Sequence, residues 1–191
     1  MKKERKDTGL IGTAGVYEVL SRLSRRGWVA MMTPGNTQGV DVLAYKTIKG
    51  ELLIRQIEVK TCNKPKPINS KFWGKSISWQ MHKKHEKALS NVWYCFVNFD
   101  ESFDVKTGKP LSKGALPHTS VYLASSKQVA EFVKESHPKW LKNPKAKKEH
   151  KDMDMRRFCL GFAGEKYTVK STLMAEKQWE CWNSLEKGEN K

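Results

Sequence analysis

Residues 39–61 read GVDVLAYKTIKGELLIRQIEVKT, and the fold turns on how this stretch pairs with itself. Val40 to Tyr45 has strand character, Lys49-Gly50 punctuates a hairpin, and Leu52 to Thr61 continues as a longer strand. Alternate residues of a strand share a face, so Gln56, Glu58 and Lys60 project to one side. Asp41 begins the first strand. Antiparallel pairing therefore sets it near the far end of the second strand, close to Glu58. An E-x-K on a strand most often marks an exposed edge. Here Val40, Val42, Ile57 and Val59 surround the polar residues, which places the strands centrally, and the turn PGNTQG at 34–39 leaves room in front of Asp41 for a substrate backbone.

Two carboxylates and an ammonium meeting at strand ends suit a particular chemistry. Asp41 and Glu58 are hard oxygen donors of the kind that bind Mg²⁺ or Mn²⁺, ions that keep several waters. Such an ion polarises a scissile phosphate and acidifies a bound water, and Lys60 would orient that nucleophile or neutralise developing charge.

Outward from the hairpin, the elements alternate. Val16, Val19, Leu20 and Leu23 recur at helical spacing and predict a helix over residues 12–26, with Gly27 as its stop. A short strand spans 28–32. After Pro65 and Pro67 a helix is expected across 80–89, then a buried strand at 92–99 and a loop over 100–118. A strand at 121–124 leads into a helix over 127–136, whose start has Ser125 and Gln128 at capping-box spacing and which Pro138 closes. DMDMRR at 152–157 reads as loop. Residues 139–191 lack a sustained apolar period and are expected to wrap the core. Trp179, Trp182 and Leu185 there form an apolar stripe on a terminal helix that docks on the core or on a second subunit. The fold class expected is α/β, a mixed central sheet flanked by helices with a basic C-terminal extension. The whole of 1–191 is expected as one domain, with its core at about 10–136 and the extension at 137–191.

Composition narrows the partner. The chain has 191 residues, 36 Lys+Arg against 20 Asp+Glu and a formal charge of +16, so a polyanion is the expected partner and nucleic acid the commonest one. Hydrophobic residues at 38% with seven tryptophans exclude a disordered chain. The longest apolar run, 92–97, is six residues, far from the ~20 that span a membrane. Four dispersed cysteines without CxxC spacing suit reduced thiols, and the cytoplasm is the expected location. Basic residues concentrate in an N-terminal arm (Lys2, Lys3, Arg5, Lys6), in a segment with interleaved Phe72, Trp73 and Trp79, and around 139–151. The middle cluster supplies the expected phosphate contacts Lys64, Lys66, Lys71, Lys75, Lys83 and Lys84. Core packing is favoured over base stacking for Trp73 and Trp79. His82 and His85 could share a face and, with Cys62 and Cys95, make a zinc site, but His82 reads better as a phosphate contact.

The same residues carry a resemblance. GVDVLAYKTIKGELLIRQIEVKT, preceded by the helix in GTAGVYEVLSRLSRRGW and a strand, resembles the D-x(n)-ExK core of the PD-(D/E)XK nuclease superfamily, which includes many restriction enzymes and archaeal Holliday-junction resolvases. GNTQGVDVLA, VKT and SKQVAEFVKESHPKWL are similar to a narrower group of small bacterial nuclease-like proteins. The resemblance covers about residues 10–100, and the narrower one extends to about 165. It implies a restriction-endonuclease-like core, with Asp41 and Glu58 as metal ligands, the carbonyl of Val59 as a third, and Lys60 as the catalytic lysine. Cleavage of DNA would leave a 5′-phosphate, with RNA a further substrate class. Two positions depart from the pattern. Val40, not proline, precedes Asp41. Val16 stands where the narrower group has a carboxylate after the glycine matching Gly15; Glu18 is the nearest acid, and ~200° of helix rotation turns it from the site. Gln56 and Glu18 are thus accessory candidates.

Three functions fit this reading: a Mg²⁺-dependent endonuclease, a nucleic-acid-binding protein on the same fold without catalysis, and a protein-interaction module. Double-strand cleavage needs two active sites, so the first carries the expectation of a homodimer.

Overall fold

A computed structural model describes residues 8–35, 39–62, 68–70, 72–100, 118–143 and 150–187. The hairpin is as the sequence dictates. Strand β2 (Val42–Ile48) pairs antiparallel with β3 (Glu51–Cys62), from Val42 opposite Ile57 to Ile48 opposite Glu51. Its two-residue turn, Lys49-Gly50, has both φ angles positive, 51° and 85°, the mirror-image turn that matches strand twist. Beyond β2 lies β1 (Val29–Met32), and on the other side of β3 come β6 (Val92–Asp100), running parallel, and β7 (His118–Ser125), antiparallel to it. The order β1-β2-β3-β6-β7 makes β3 the middle strand of a mixed sheet.

The period-two alternation of these strands divides the core in two. On one face Val42, Ala44, Ile57, Val59, Trp93, Cys95, Val97, Val121 and Leu123 pack with Val19 and Leu23 of helix α1 (Thr8–Ser24) and with Trp182 and Leu185. At Gly15, α1 lies so near β3 that a Cβ would clash with Thr61 Oγ1. On the other face Tyr94, Phe96, Tyr122 and Ala124 meet Val129, Phe132 and Val133 of helix α2 (Ser126–Leu141), together with a second sheet. That sheet has the order β4-β5-β8-β9, formed by β4 (Ile68–Ser70), β5 (Gly74–His82), β8 (Met155–Gly161) and β9 (Leu173–Met174). Short helices α3 (Ala175–Gln178) and α4 (Asn183–Lys187) follow. The architecture is α/β, with mixed sheets and helices against them.

Several expectations are overturned, two of them by the second sheet. Residues 80–89 are not a helix: β5 runs through His82 and only Lys83–Glu86 turn, as a single 3-10 turn. Trp79 and Met81 are buried while Gln80 and His82 are exposed, a period of two that pairing with β8 exploits. Met155, Arg156 and Arg157 of DMDMRR belong to β8. Pro138 lies inside α2, which continues to Leu141. A proline this near the C-terminus removes only one of the last intrahelical bonds, and its carbonyl still accepts from the Lys142 amide. The capping box is present: Ser125 Oγ accepts from the Gln128 amide at 3.3 Å and Gln128 Oε1 accepts from the Ser125 amide at 2.9 Å. Trp79 is core, its indole donating to the Val97 carbonyl. No single terminal helix carries the expected stripe, since Trp179 and Trp182 lie between Gln178 and Asn183, outside any helix; Trp182 and Leu185 dock on the core of this chain, while Trp179 is half-exposed. The expected loop falls almost wholly outside the described residues. Among those described, no helix is long and apolar enough to cross a membrane.

Candidate active site at the end of β3

Strand β2 begins one residue after Asp41, and the sheet opens at that point. The Asp41 amide still donates to the Ile57 carbonyl at 2.9 Å, extending the ladder by one bond. The next amide of β3 along this edge, that of Val59, has no β2 backbone left to meet. It donates instead to Asp41 Oδ2 at 2.6 Å, so the carboxylate takes over where the strand has left. Thr33 secures the chain before it, its amide donating to the Asp41 carbonyl at 3.0 Å.

Glu58 points to the second-sheet face and is 4% exposed. Lys60, two residues along on the same face, donates to Glu58 Oε1 at 2.6 Å. Gly39 has φ +74°, and a Cβ there would sit 3.8 Å from Glu58 Oε2. A side chain on this residue would meet both a disfavoured conformation and the mouth of the site. Asp41, Glu58 and Lys60 therefore converge as the hairpin register requires.

The two acids have opposite electrostatics. Burial, reinforced by the charge of Glu58, raises the Asp41 carboxyl above its ordinary range, against the lowering effect of the Val59 amide, Lys60 and Lys84. Burial acts the same way on Glu58, but a hydrogen bond from His85 and the Lys60 ammonium outweigh it and hold Glu58 down to about 2. Tyr94, opposite Glu58 in the ladder, hydrogen-bonds it; burial and that neighbouring anion push the phenol up. His85 and Tyr94 are the residues sequence reasoning missed as parts of this site. The strand pattern shows Tyr94 only as buried, and nothing short of the β5–β8 pairing places His85.

A hard divalent cation fits this donor set. A positive ion would relieve Asp41, whose protonated form burial and its neighbour's charge favour, and would find in Glu58 a second, already ionised oxygen donor.

Other expected residues separate. Glu18 gives its carboxylate to Arg22 at 2.7 Å on α1, where Arg22 also binds Glu180 and the Thr119 carbonyl. Val16 packs with the α1 face of the core. Gln56 is exposed, opposite Leu43. Lys64, Lys66 and Lys71 lie outside the described residues. Lys75 is exposed beside the Phe162 ring; Lys83 and Lys84 are exposed on the 3-10 turn, with Lys84 close enough to act on Asp41. The four-residue zinc assembly does not form: Cys95 is buried on the opposite face of the sheet, Cys62 Sγ donates to Asn98, and His82 Nδ1 accepts from the Lys84 amide. Among the described residues no three His, Cys, Asp or Glu side chains group as a metal site.

Comparison with known proteins adds little to this geometry. No family model matches the chain, and no curated protein matches it. Among solved structures it is similar to a bacterial homing endonuclease, I-Ssp6803I, at 12% identity and a TM-score of 0.46, covering 96% of this chain and 95% of that one. At that distance the likeness carries neither fold nor activity across.

Proposed function

We propose that this chain is a metal-dependent endonuclease of the PD-(D/E)XK type that hydrolyses phosphodiester bonds of DNA. The observation that supports it most is the meeting of Asp41, Glu58 and Lys60 at the open end of the central strand, with Lys60 Nζ 2.6 Å from Glu58 Oε1. Asp41 and Glu58 hold Mg²⁺ or Mn²⁺, joined by the Val59 carbonyl. Bound there, the ion supplies Lewis acidity to the scissile phosphate and lowers the pKa of a coordinated water. The chain's own residues do the rest. Val59 fixes Asp41 through its amide, so the carboxylate keeps its direction before substrate arrives. Lys60, at the rim of the buried pair, donates hydrogen bonds to the attacking oxygen and offsets charge developing on the phosphoryl oxygens. Gly39 keeps the approach clear. Lys83 and Lys84 grip phosphates flanking the cut.

The test is cleavage of supercoiled plasmid, single-stranded DNA and a four-way junction with Mg²⁺, Mn²⁺ or EDTA, beside Asp41→Ala and Lys60→Ala proteins. Metal-dependent cleavage that vanishes in both variants is the expected result. The second reading, a DNA-binding protein without catalysis, is favoured by Val16 in place of an acid on α1 and by the commitment of Glu18 to Arg22. Salt-sensitive binding of the same DNAs with no cleavage by the wild type would establish that reading instead.

A further inference from the structure

The 3-10 turn Lys83–Glu86 brings a side chain to Glu58 that the mechanism above does not use. His85 is 4% exposed and reaches two opposite ways. Its Nδ1 lies 2.8 Å from the His82 amide nitrogen and 2.9 Å from the His82 carbonyl oxygen, within the cap of the turn. Its Nε2 lies 3.1 Å from Glu58 Oε1. An ionised carboxylate only accepts, so in this contact the imidazole Nε2–H is the donor.

The turn is itself held on two sides. Arg156 of β8, buried, pairs with Glu86, and the Lys83 amide donates to the Asp154 carbonyl at 2.8 Å. From the α2 side, Ser126 Oγ accepts from the Leu89 amide at 2.9 Å. Tyr94 meets the imidazole edge-on, with ring centroids 5.8 Å apart. The imidazole has little freedom to leave Glu58.

A glutamate has three side-chain torsions, and besides His85 Glu58 is held by the Tyr94 phenol from its own sheet and by Lys60, a flexible ammonium of which a quarter is exposed. Lys60 and His85 approach the same oxygen, Oε1, while Oε2 faces Gly39. We propose that His85 is the positioning residue for Glu58, fixing Oε1 from a rigid turn so that Oε2 is presented to the divalent cation. This rests on the reading of Glu58 as a metal ligand. Partners that orient a ligand in this way are worth about 10- to 100-fold in metal affinity.

Two substitutions divide the contacts of His85. In His85→Gln the amide nitrogen reaches the Nε2 position and can still donate to Glu58, while the contact to the His82 amide is lost. In His85→Asn the side-chain oxygen takes the Nδ1 position and keeps the cap, while the contact to Glu58 is lost. Mn²⁺ binding to the full chain without DNA, read by electron paramagnetic resonance, is compared with thermal unfolding and with cleavage against Mn²⁺ concentration. The expected result is Mn²⁺ affinity weakened about 10- to 100-fold in H85N and nearly unchanged in H85Q, with the same order in the Mn²⁺ needed for cleavage. Wild-type affinity in a folded H85N overturns the proposal. So does a folded H85Q that loses at least tenfold, an outcome still available if H85N does not fold. Failure of the nuclease reading has a different signature: a wild type that neither binds Mn²⁺ nor cleaves.

Discussion

Glu58 is approached by two regions built on different logic. The β2–β3 hairpin delivers Asp41, Glu58 and Lys60 from residues 17 and 2 apart in sequence, through a two-residue turn and an uninterrupted antiparallel register. The 3-10 turn delivers His85 from 27 residues away, and its own position depends on β5 pairing with β8, whose Arg156 lies 70 residues beyond Glu86. Chemistry carried by a hairpin is encoded locally. The residues that orient it come from long-range pairing that no short window contains. The hairpin should therefore control whether anything is cleaved, and the turn how well metal and phosphate are held.

The largest expected effect separates the two acids of the hairpin side itself. Asp41→Asn and Glu58→Gln should each lower cleavage by about 10²–10³-fold or more. Their effects on stability should have opposite signs. The Asp41 carboxyl is raised in the fold, so ionising it costs stability as pH rises through its folded pKa; the amide removes that cost and still accepts from the Val59 amide. D41N should melt at or above the wild-type temperature at neutral pH. Glu58 is held down to about 2, so its contribution is present above its ordinary pKa and is lost as pH falls toward 2. E58Q should lose about 2–3 kcal/mol, roughly 4–12 °C, at pH 7. Melting curves of the three proteins from pH 7 to pH 3 check both signs, and the gap between wild type and E58Q should shrink at the acid end. A D41N protein that melts well below wild type would show that Asp41 is chiefly structural.

This contrast also explains what could be read from the sequence. Lys49-Gly50, the alternation through β3 and Gly39 before Asp41 each state their role within a few residues, so hairpin, register and acid pair follow from the chain alone. The capping box of α2 is equally local. In β5, by contrast, Trp79 and Met81 alternate with polar residues over too short a run to exclude a helix, until Phe158 and Leu160 of β8 are brought against the same core. Pro138 reads as a stop because nothing in the sequence shows that α2 has only three residues left beyond it.

The anchor of the turn comes next. Arg156 is buried and hydrogen-bonds Glu86 and the carbonyls of Met153 and Met155. Arg156→Met should cost about 2–3 kcal/mol, since charged hydrogen bonds are lost together. It should also loosen His85, so Mn²⁺ affinity should fall while Asp41 and Lys60 remain in place. Unfolding in urea with and without Mn²⁺ measures both. A variant destabilised without any change in Mn²⁺ affinity would uncouple the turn from the site.

On the hairpin side, Gly15→Ala drives a methyl into Thr61, whose buried Oγ1 has no hydrogen-bond partner among the described residues. The expected loss is about 1–3 kcal/mol from overpacking α1 on β3. Thr61→Ala opens the space, so the double variant should recover most of that loss. Urea unfolding of the single and double variants decides it. Additive losses would place the strain elsewhere along α1.

The smallest effect belongs to the outer surface of the turn. Lys84 is exposed, yet it acts on Asp41 from the same element that carries His85 inward. One turn would thus hold the acid with its buried residue and a substrate phosphate with its exposed one. Lys84→Ala removes one phosphate contact, so the slope of log affinity for DNA against log salt should flatten by about 0.9 on duplex, with the fold unchanged. Lys75→Ala, at the far end of β5 beside Phe162, is the internal control. An equal flattening for both would mean that the basic surface tracks DNA diffusely along β5. A flattening for Lys84 alone would tie phosphate binding to the turn and make this short segment, obscure in the sequence, the place where substrate and metal are held together.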